Sequence, residues 1–254
     1  MEEIEPDRNG KLALSVAMDL SLITVDDLYK ENPDNYLVES LSEFKITSIK
    51  KLGEGDKTNF IKNVIDTLSV EDNVIYAFDS KKMALRNVKT MENVKYICST
   101  DETEEYFDEI MDIIDERSEK YNEGLLEDNF DEAKLLSTFP RVMIVVDSLK
   151  DFVEYTDKKR REDFNTIISK YRDLKVNIII SSDDATYKDL LYAEPFLKKL
   201  KEEQFGLAFT DLDAQKTFDV YLKYGRKKEV LKDGDGFLIN KGKFEFVKTP
   251  LSEI

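Results

Sequence analysis

The feature that most constrains the fold of this chain is a continuous apolar run, Val142–Val146, which is closed by Asp147. A strand with one face in water alternates apolar and polar side chains, whereas this run has no polar position. Its β-branched side chains favour a strand over a helix. We therefore predict a parallel strand that is covered by helices on both faces.

The flanking segments alternate between strand and helix patterns. We predict strands at 46–52, 73–78, 94–98, 176–180 and 206–209, and helices at 58–68, 101–121, 159–173 and 187–202. A terminal β-hairpin is predicted at 237–247. This order predicts an α/β fold, with a mostly parallel sheet covered by helices on both faces and a C-terminal β-hairpin. Residues 1–40 are interpreted as an N-terminal extension that packs on the core, and 41–254 as one domain.

A candidate phosphate-binding loop lies between the predicted strand 46–52 and the helix that follows it. Its residues are Gly53, Gly55, Asp56, Lys57, Thr58 and Asn59. At such a turn, helix N-terminal amides face an anion. Lys57 and Thr58 fit the end of the pattern G-x-x-x-x-G-K-[ST], but Lys51 and Asp56 replace its two glycines. Because Lys-Thr recurs elsewhere in this lysine-rich chain, only the context supports the prediction, and an ordinary strand-to-helix turn stays the alternative.

A second candidate group follows the apolar run. In P-loop enzymes the residue after such a strand is an aspartate that holds Mg²⁺ through water, which is the role predicted for Asp147. Ser148 stands where many ATPases carry a glutamate that polarises the attacking water, and serine cannot act as that base at neutral pH. Thr58 and Asp147 would bind a metal only if Mg-ATP binds. The hydroxyls of Ser181 and Ser182 suit either a γ-phosphate sensor or a turn.

Asp56 puts a negative charge where the phosphates would lie. At about 4 Å and an effective dielectric constant near 20, each unit charge costs roughly 4 kcal/mol. ATP and Mg²⁺ are therefore expected to bind at most weakly, no cofactor is required, and no residue is assigned a catalytic role. We expect Asp56 to pair with Lys57 as an internal anion instead.

Composition excludes several functions. The chain has no histidine and one cysteine, so it has no Ser-His or Cys-His triad, no imidazole zinc site and no internal disulfide. Its net charge of −16 opposes nucleic-acid binding. No apolar run approaches the roughly 18 residues of a membrane span, and the N-terminus does not resemble a signal peptide, so the chain as given is expected to be soluble without inserting into a membrane.

The stretch GDKTNFIK at 55–62 resembles a G-K-T-N-x-x-K loop, and VIYAFDSK at 74–81 resembles an apolar strand followed by D-S-K. In this order the motifs resemble the FtsK/SpoIIIE family of ATPases, and within it the EssC-type coupling proteins of type VII secretion. The run at 142–147, the strand at 178–181 and the tail GDGFLINKGK at 234–243 continue the match. The resemblance covers about 40–250 and implies a RecA-like P-loop fold.

The resemblance also implies a cellular setting. EssC-type proteins are membrane-anchored and carry tandem ATPase domains at the cytoplasmic face, of which the C-terminal ones often have degraded nucleotide sites. This chain would be such a C-terminal module, with neighbouring ATPase domains and small helical-hairpin secretion substrates as partners. The departures at Lys51, Asp56 and Ser148 favour a role in substrate recruitment or regulation over hydrolysis.

Other interpretations stay open at this point. A weakly active or nucleotide-sensing ATPase would keep Lys57, Thr58 and Asp147 as ligands. A dinucleotide-binding domain is disfavoured because Gly53 and Gly55 lack the third glycine of G-x-G-x-x-G. Apolar side chains between 187 and 197 suit either a recruitment groove or the core.

Overall fold

The computed structural model describes residues 55–69, 73–79, 83–171, 174–215, 217–222, 230–232 and 234–249, apart from the side chains of Gly55, Asp56, Lys170 and Tyr171. The predicted extension 1–40 and strand 46–52 lie outside these residues, as does Gly53, so the domain boundary at 40/41 stays a prediction.

Within the described residues, four parallel strands form the central sheet. They are β1 (Val74–Phe78), β2 (Val94–Ile97), β3 (Val142–Val146) and β4 (Val176–Ile180), in the spatial order β2-β1-β3-β4. In register, Phe78 pairs with Val146, and Val146 pairs with Ile180. The predicted mostly parallel sheet is confirmed, and all five residues of β3 are buried.

Helices cover both faces of this sheet. They are α1 (Gly55–Leu68), α2 (Thr100–Gly124), α3 (Glu132–Ser137), α4 (Leu149–Tyr155), α5 (Lys158–Thr166), α6 (Asp184–Leu190) and α7 (Pro195–Glu203). A short 3₁₀ helix spans Arg86–Thr90, and a π-helical turn, Ile167–Tyr171, extends α5. The predicted 159–173 helix is thus irregular toward its end.

Successive side chains of each parallel strand point to opposite faces of the sheet, so a hydrophobic core forms on each face. On one face, α1 packs Phe60, Ile61 and Ile65 against Ile75, Val145 and their neighbours. On the other face, Tyr76, Phe78 and Val146 join residues of α2, α4, α5 and α7. Because both faces are buried, the strands contain almost no polar residue.

The predicted single helix at 187–202 is wrong. The structure has α6 and α7 instead, separated by 191–194. Pro195 is the cause: it has no N–H to donate within a helix, and it holds Glu194 in an extended conformation (φ −110°, ψ 106°). Pro195 therefore starts a new helix. Tyr187, Phe196 and Leu197 are buried in the core, which decides against a groove lined by this stripe.

A second, antiparallel sheet closes the described chain. It consists of β5 (Phe205–Ala208), β6 (Asp235–Asn240) and β7 (Lys243–Lys248), in that order. The predicted C-terminal hairpin is confirmed as β6 and β7, joined by Lys241 and Gly242, both at positive φ as a tight two-residue turn requires. The strand predicted at 206–209 pairs with β6 rather than with the parallel sheet.

Candidate functional site

The candidate site lies where the parallel strands end, which we call the carboxyl edge of the sheet. Asp79 follows β1, Asp147 follows β3, and Ser181 follows β4. The backbone fixes their order, because Asp147 N donates to Phe78 O (3.1 Å) and Ser181 N donates to Val146 O (2.8 Å). In open α/β sheets, ligands bind at this edge.

The structure brings together two of the residues predicted from sequence. Thr58 Oγ1 donates a hydrogen bond to Asp147 Oδ1 (3.1 Å), although the two residues are 89 positions apart. Thr58 lies in the first turns of α1, whereas Asp147 is a largely buried carboxylate at the end of β3. This bond places the start of α1 against the carboxyl edge.

These two side chains fit a magnesium ion. Mg²⁺ usually takes one or two protein oxygens and completes its shell with water and substrate phosphates. A hydroxyl and a carboxylate within hydrogen-bonding distance meet that requirement, and the ion would supply neutralisation of phosphate charge. Across the described part of the chain, no cluster of three or more histidine, cysteine or acidic side chains suits a metal held by protein alone.

The remaining loop residues are placed less fully. Gly55 and Asp56 open α1, and the side chain of Asp56 is not described, so its predicted pairing with Lys57 stays a prediction. Lys57 and Asn59 are partly buried in the first turns of α1.

Ser148 has a structural task in this fold. It is the N-cap of α4, and its hydroxyl accepts a hydrogen bond from Asp151 N (3.3 Å). A capping side chain satisfies a backbone N–H that has no partner within the helix. Ser148 thus starts the helix that follows β3.

Sequence reasoning assigned no role to Asp79, which is buried at the end of β1. Its carboxylate accepts hydrogen bonds from Ala84 N (3.1 Å), Leu85 N (2.7 Å) and the Tyr96 hydroxyl (2.9 Å). Burial raises the pKa of Tyr96 above its ordinary value, and the hydrogen bond to Asp79 raises it further. Asp79 therefore organises the turn after β1.

Asp183 was also missed, although its place after β4 could have signalled it. It is the N-cap of α6, with Oδ1 accepting from Thr186 N (2.8 Å) and Oδ2 from Thr186 Oγ1 (2.8 Å). Partial desolvation raises the pKa of Asp183, but the bonds from Thr186 and the charge of Lys57 outweigh it, so the pKa lies below the usual value. Lys57 and Asp183 are thus within electrostatic range of each other.

Ser181 directly follows β4. Its side chain is fully buried, and its Oγ has no hydrogen-bond partner among the described residues. Its carbonyl accepts from Leu149 N (2.9 Å), which ties the end of β4 to the start of α4. The predicted hydroxyls at 181–182 are therefore at the carboxyl edge, beside Asp147.

No protein-family model matches the sequence, and no curated protein is significantly similar to it. Solved structures are more informative. The chain matches the cytoplasmic domain of EssC with a TM-score of 0.71 and 17% identity, over 82% of this chain and 40% of that one. The chain has the fold of part of that domain.

Two further structures agree with that fold. ATPases 2 and 3 of EssC from Geobacillus thermodenitrificans match with a TM-score of 0.70 and 18% identity, over 83% of this chain and 37% of that chain. ATPases 2 and 3 of EccC from Thermomonospora curvata, solved with a signal sequence peptide, match with a TM-score of 0.62 and 16% identity. The match covers 84% of this chain and 38% of that chain.

The chain therefore spans less than half of the length of the EssC and EccC structures that it matches. Within the described residues, no helix is both long enough and apolar enough to cross a membrane.

Proposed function

We propose that this chain is a degenerate ATPase module of a type VII secretion coupling protein, which acts in substrate recruitment or regulation rather than in ATP hydrolysis. In this proposal it works beside neighbouring ATPase domains of a longer, membrane-anchored protein, at the cytoplasmic face of the membrane.

The observation that carries the proposal is that acidic side chains at the carboxyl edge are held by hydrogen bonds within the protein. A hydrolase needs a base positioned near the attacking water. The position after Asp147 is a serine that caps α4. Asp79 accepts three hydrogen bonds, and Asp183 accepts two from Thr186. These contacts hold Asp79 and Asp183 in structural roles, which supports a module without hydrolytic activity.

Substrate recruitment is proposed from the structural neighbours. The EccC structure contains a signal sequence peptide. By extension, the partners proposed for this chain are small helical-hairpin secretion substrates that carry such a peptide. With a net charge of −16, nucleic acid is not proposed as a ligand.

Hydrolysis is tested by combining phosphate release with thermal unfolding in Mg-ATP. We expect no phosphate release above a blank without protein. A nucleotide at 100 times its dissociation constant would stabilise the fold by about 2.7 kcal/mol, which is about 5–11 °C for a domain of this size. We expect a much smaller shift at millimolar Mg-ATP. Sustained phosphate release that Lys57→Ala abolishes would overturn the proposal.

Lys120→Ala is the control for that measurement. It removes the same charge from an exposed position near the end of α2, outside the candidate loop. Activity lost in both variants would point to a general effect of charge removal rather than to a role for Lys57.

Recruitment is tested by titrating the full chain into fluorescent peptides from the C-termini of candidate type VII substrates, with scrambled peptides as controls. We expect saturable binding that requires the native peptide order. Equal anisotropy changes for native and scrambled peptides would remove recruitment from the proposal and leave regulation.

One contact favours a second candidate, a nucleotide-sensing module. The hydrogen bond between Thr58 and Asp147 keeps the two candidate Mg²⁺ ligands together, although hydrolysis is not expected. For this candidate, Mg-nucleotide would raise the unfolding temperature in the native chain and not in Lys57→Ala, again without phosphate release.

A further inference from the structure

The loop after β4 is tied to the nucleotide site by backbone contacts. Ser181 N donates to Val146 O (2.8 Å), and Ser181 O accepts from Leu149 N (2.9 Å), so both sides of Asp147 contact this loop. Asp147 in turn accepts from Thr58, the neighbour of Lys57. Lys57 and the loop that contains Asp183 therefore lie at the same end of the sheet.

Asp183 is held in place as well as charged. Its two oxygens accept separate bonds from Thr186, which fixes the carboxylate at the start of α6. Both bonds favour the ionised form, and the cation of Lys57 adds to them. A fixed negative charge consequently lies within electrostatic range of Lys57.

We propose that Asp183 is a specificity-determining residue that disfavours a γ-phosphate, so that the site accepts a nucleoside diphosphate in preference to a triphosphate. This inference rests on the nucleotide-sensing candidate above. In a phosphate loop the lysine reaches the β- and γ-phosphates, and Mg²⁺ held by the threonine and aspartate bridges the same two. A triphosphate would therefore bring more negative charge than a diphosphate to the end of the sheet where the loop after β4 lies.

The size of the effect follows from a single charge interaction. Between partly exposed groups several ångströms apart, one unit of repulsion changes affinity by about tenfold. Removing the charge of Asp183 should thus lower the dissociation constant of Mg-ATP by about tenfold and change that of Mg-ADP by less than about threefold.

The test measures dissociation constants for fluorescent Mg-ADP and Mg-ATP with the native chain, Asp183→Asn and Asp131→Asn. Asparagine can still accept from Thr186 N, so the cap of α6 is retained. Asp131 is the matched control: it caps α3 by accepting from Lys134 N (3.0 Å), and α3 precedes β3 and so lies toward the opposite end of the sheet. Asp183→Ser, which also keeps a capping oxygen without charge, replaces Asp183→Asn if that variant does not fold.

The expected result is a preference for Mg-ADP in the native chain and in Asp131→Asn, which disappears in Asp183→Asn. Binding of both nucleotides with an unchanged ratio in Asp183→Asn would overturn the inference while leaving nucleotide sensing intact. If neither nucleotide binds to any folded variant, nucleotide sensing and the inference both fail.

Discussion

Thr58 joins two distant parts of the chain through one hydrogen bond. Its hydroxyl donates to Asp147 Oδ1 at 3.1 Å, and the acceptor is largely buried. Thr58→Val keeps the shape of the side chain but removes the donor, so the carboxylate loses a bond within the protein. We expect a loss of about 1–2 kcal/mol in the free energy of unfolding, measured by urea denaturation.

Thr58→Ser is the control for this change, because it restores the hydroxyl. It should recover most of the lost stability. A Thr58→Val variant as stable as the native chain would mean that the bond contributes nothing measurable, and that the contact does not position α1 against β3.

The sequence identified part of this site for a clear physical reason. Lys57, Thr58 and Asp147 were predicted because a loop before a helix and an aspartate after a buried strand have recognisable local patterns. Asp183 also follows a buried strand and was missed, whereas the bond from Tyr96 to Asp79 depends on which strands are neighbours. Strand order is set by long-range packing, which local periodicity does not contain.

At the scale of elements, the start of α2 shows how a charge contributes to helix formation. Glu102 accepts from Cys98 N (2.9 Å) and Ser99 N (3.1 Å), while Ser99 Oγ accepts from Glu102 N (3.3 Å), which together form a capping box. The hydrogen bond from the Cys98 backbone N–H is the main cause that lowers the pKa of Glu102. Desolvation raises this pKa, but the hydrogen bonds outweigh it. The ionised carboxylate therefore stabilises this end of α2.

The pH dependence follows from that direction. A carboxyl group whose pKa is lower in the folded chain contributes stability above its unfolded pKa and loses it as the pH falls through the folded pKa. We expect Glu102→Gln to cost about 0.5–1 kcal/mol at pH 7, with the difference from the native chain shrinking below about pH 4.5. Urea denaturation across this range measures it. A difference that grew toward low pH would contradict the assignment.

Arg117 connects α2 to the opposite end of the sheet. It is buried, its guanidinium donates to Leu174 O (2.8 Å) and Pro140 O (2.7 Å), and it lies 5.2 Å from the ring of Phe139. Burial lowers its pKa. Arg117→Met keeps the apolar stem but leaves both carbonyls without this donor, so we expect a loss of about 2–3 kcal/mol in urea denaturation.

Arg117→Lys separates geometry from charge in the same measurement. A single ammonium cannot reproduce the planar fork that reaches two carbonyls, so an intermediate loss is expected. If Arg117→Lys were as stable as the native chain, the charge alone would account for the contribution of Arg117 to stability.

Elements with a strong periodic signal were predicted well, and the failures have local causes. The uninterrupted run at Val142–Val146 favoured a doubly covered strand, and it is fully buried. The helix predicted at 187–202 failed because apolar spacing continued across Pro195, which ends one helix and starts another. The pairing of β5 with β6 could not be predicted, since an isolated strand does not specify its partner.

At the scale of the whole molecule, the excess of acidic residues sets how the fold responds to salt. The net charge is −16, with 54 acidic and 38 basic residues. The first two turns of α2 illustrate the excess, because Asp101, Glu104, Glu105 and Asp108 stand close together there. Compaction brings such like charges nearer to one another and opposes folding.

Added salt should therefore stabilise this chain. Raising the ionic strength from about 0.01 M to 0.1 M shortens the screening length from about 30 Å to about 10 Å, which weakens repulsion across the molecule more than contacts within buried pairs. We expect the unfolding temperature to rise by a few degrees between these concentrations, as measured by calorimetry, and to rise equally in sodium and potassium chloride. Because screening acts on every exposed pair, a fall in the unfolding temperature would mean that favourable ion pairs, such as Arg160 with Asp108 at 2.6 Å, outweigh the net repulsion.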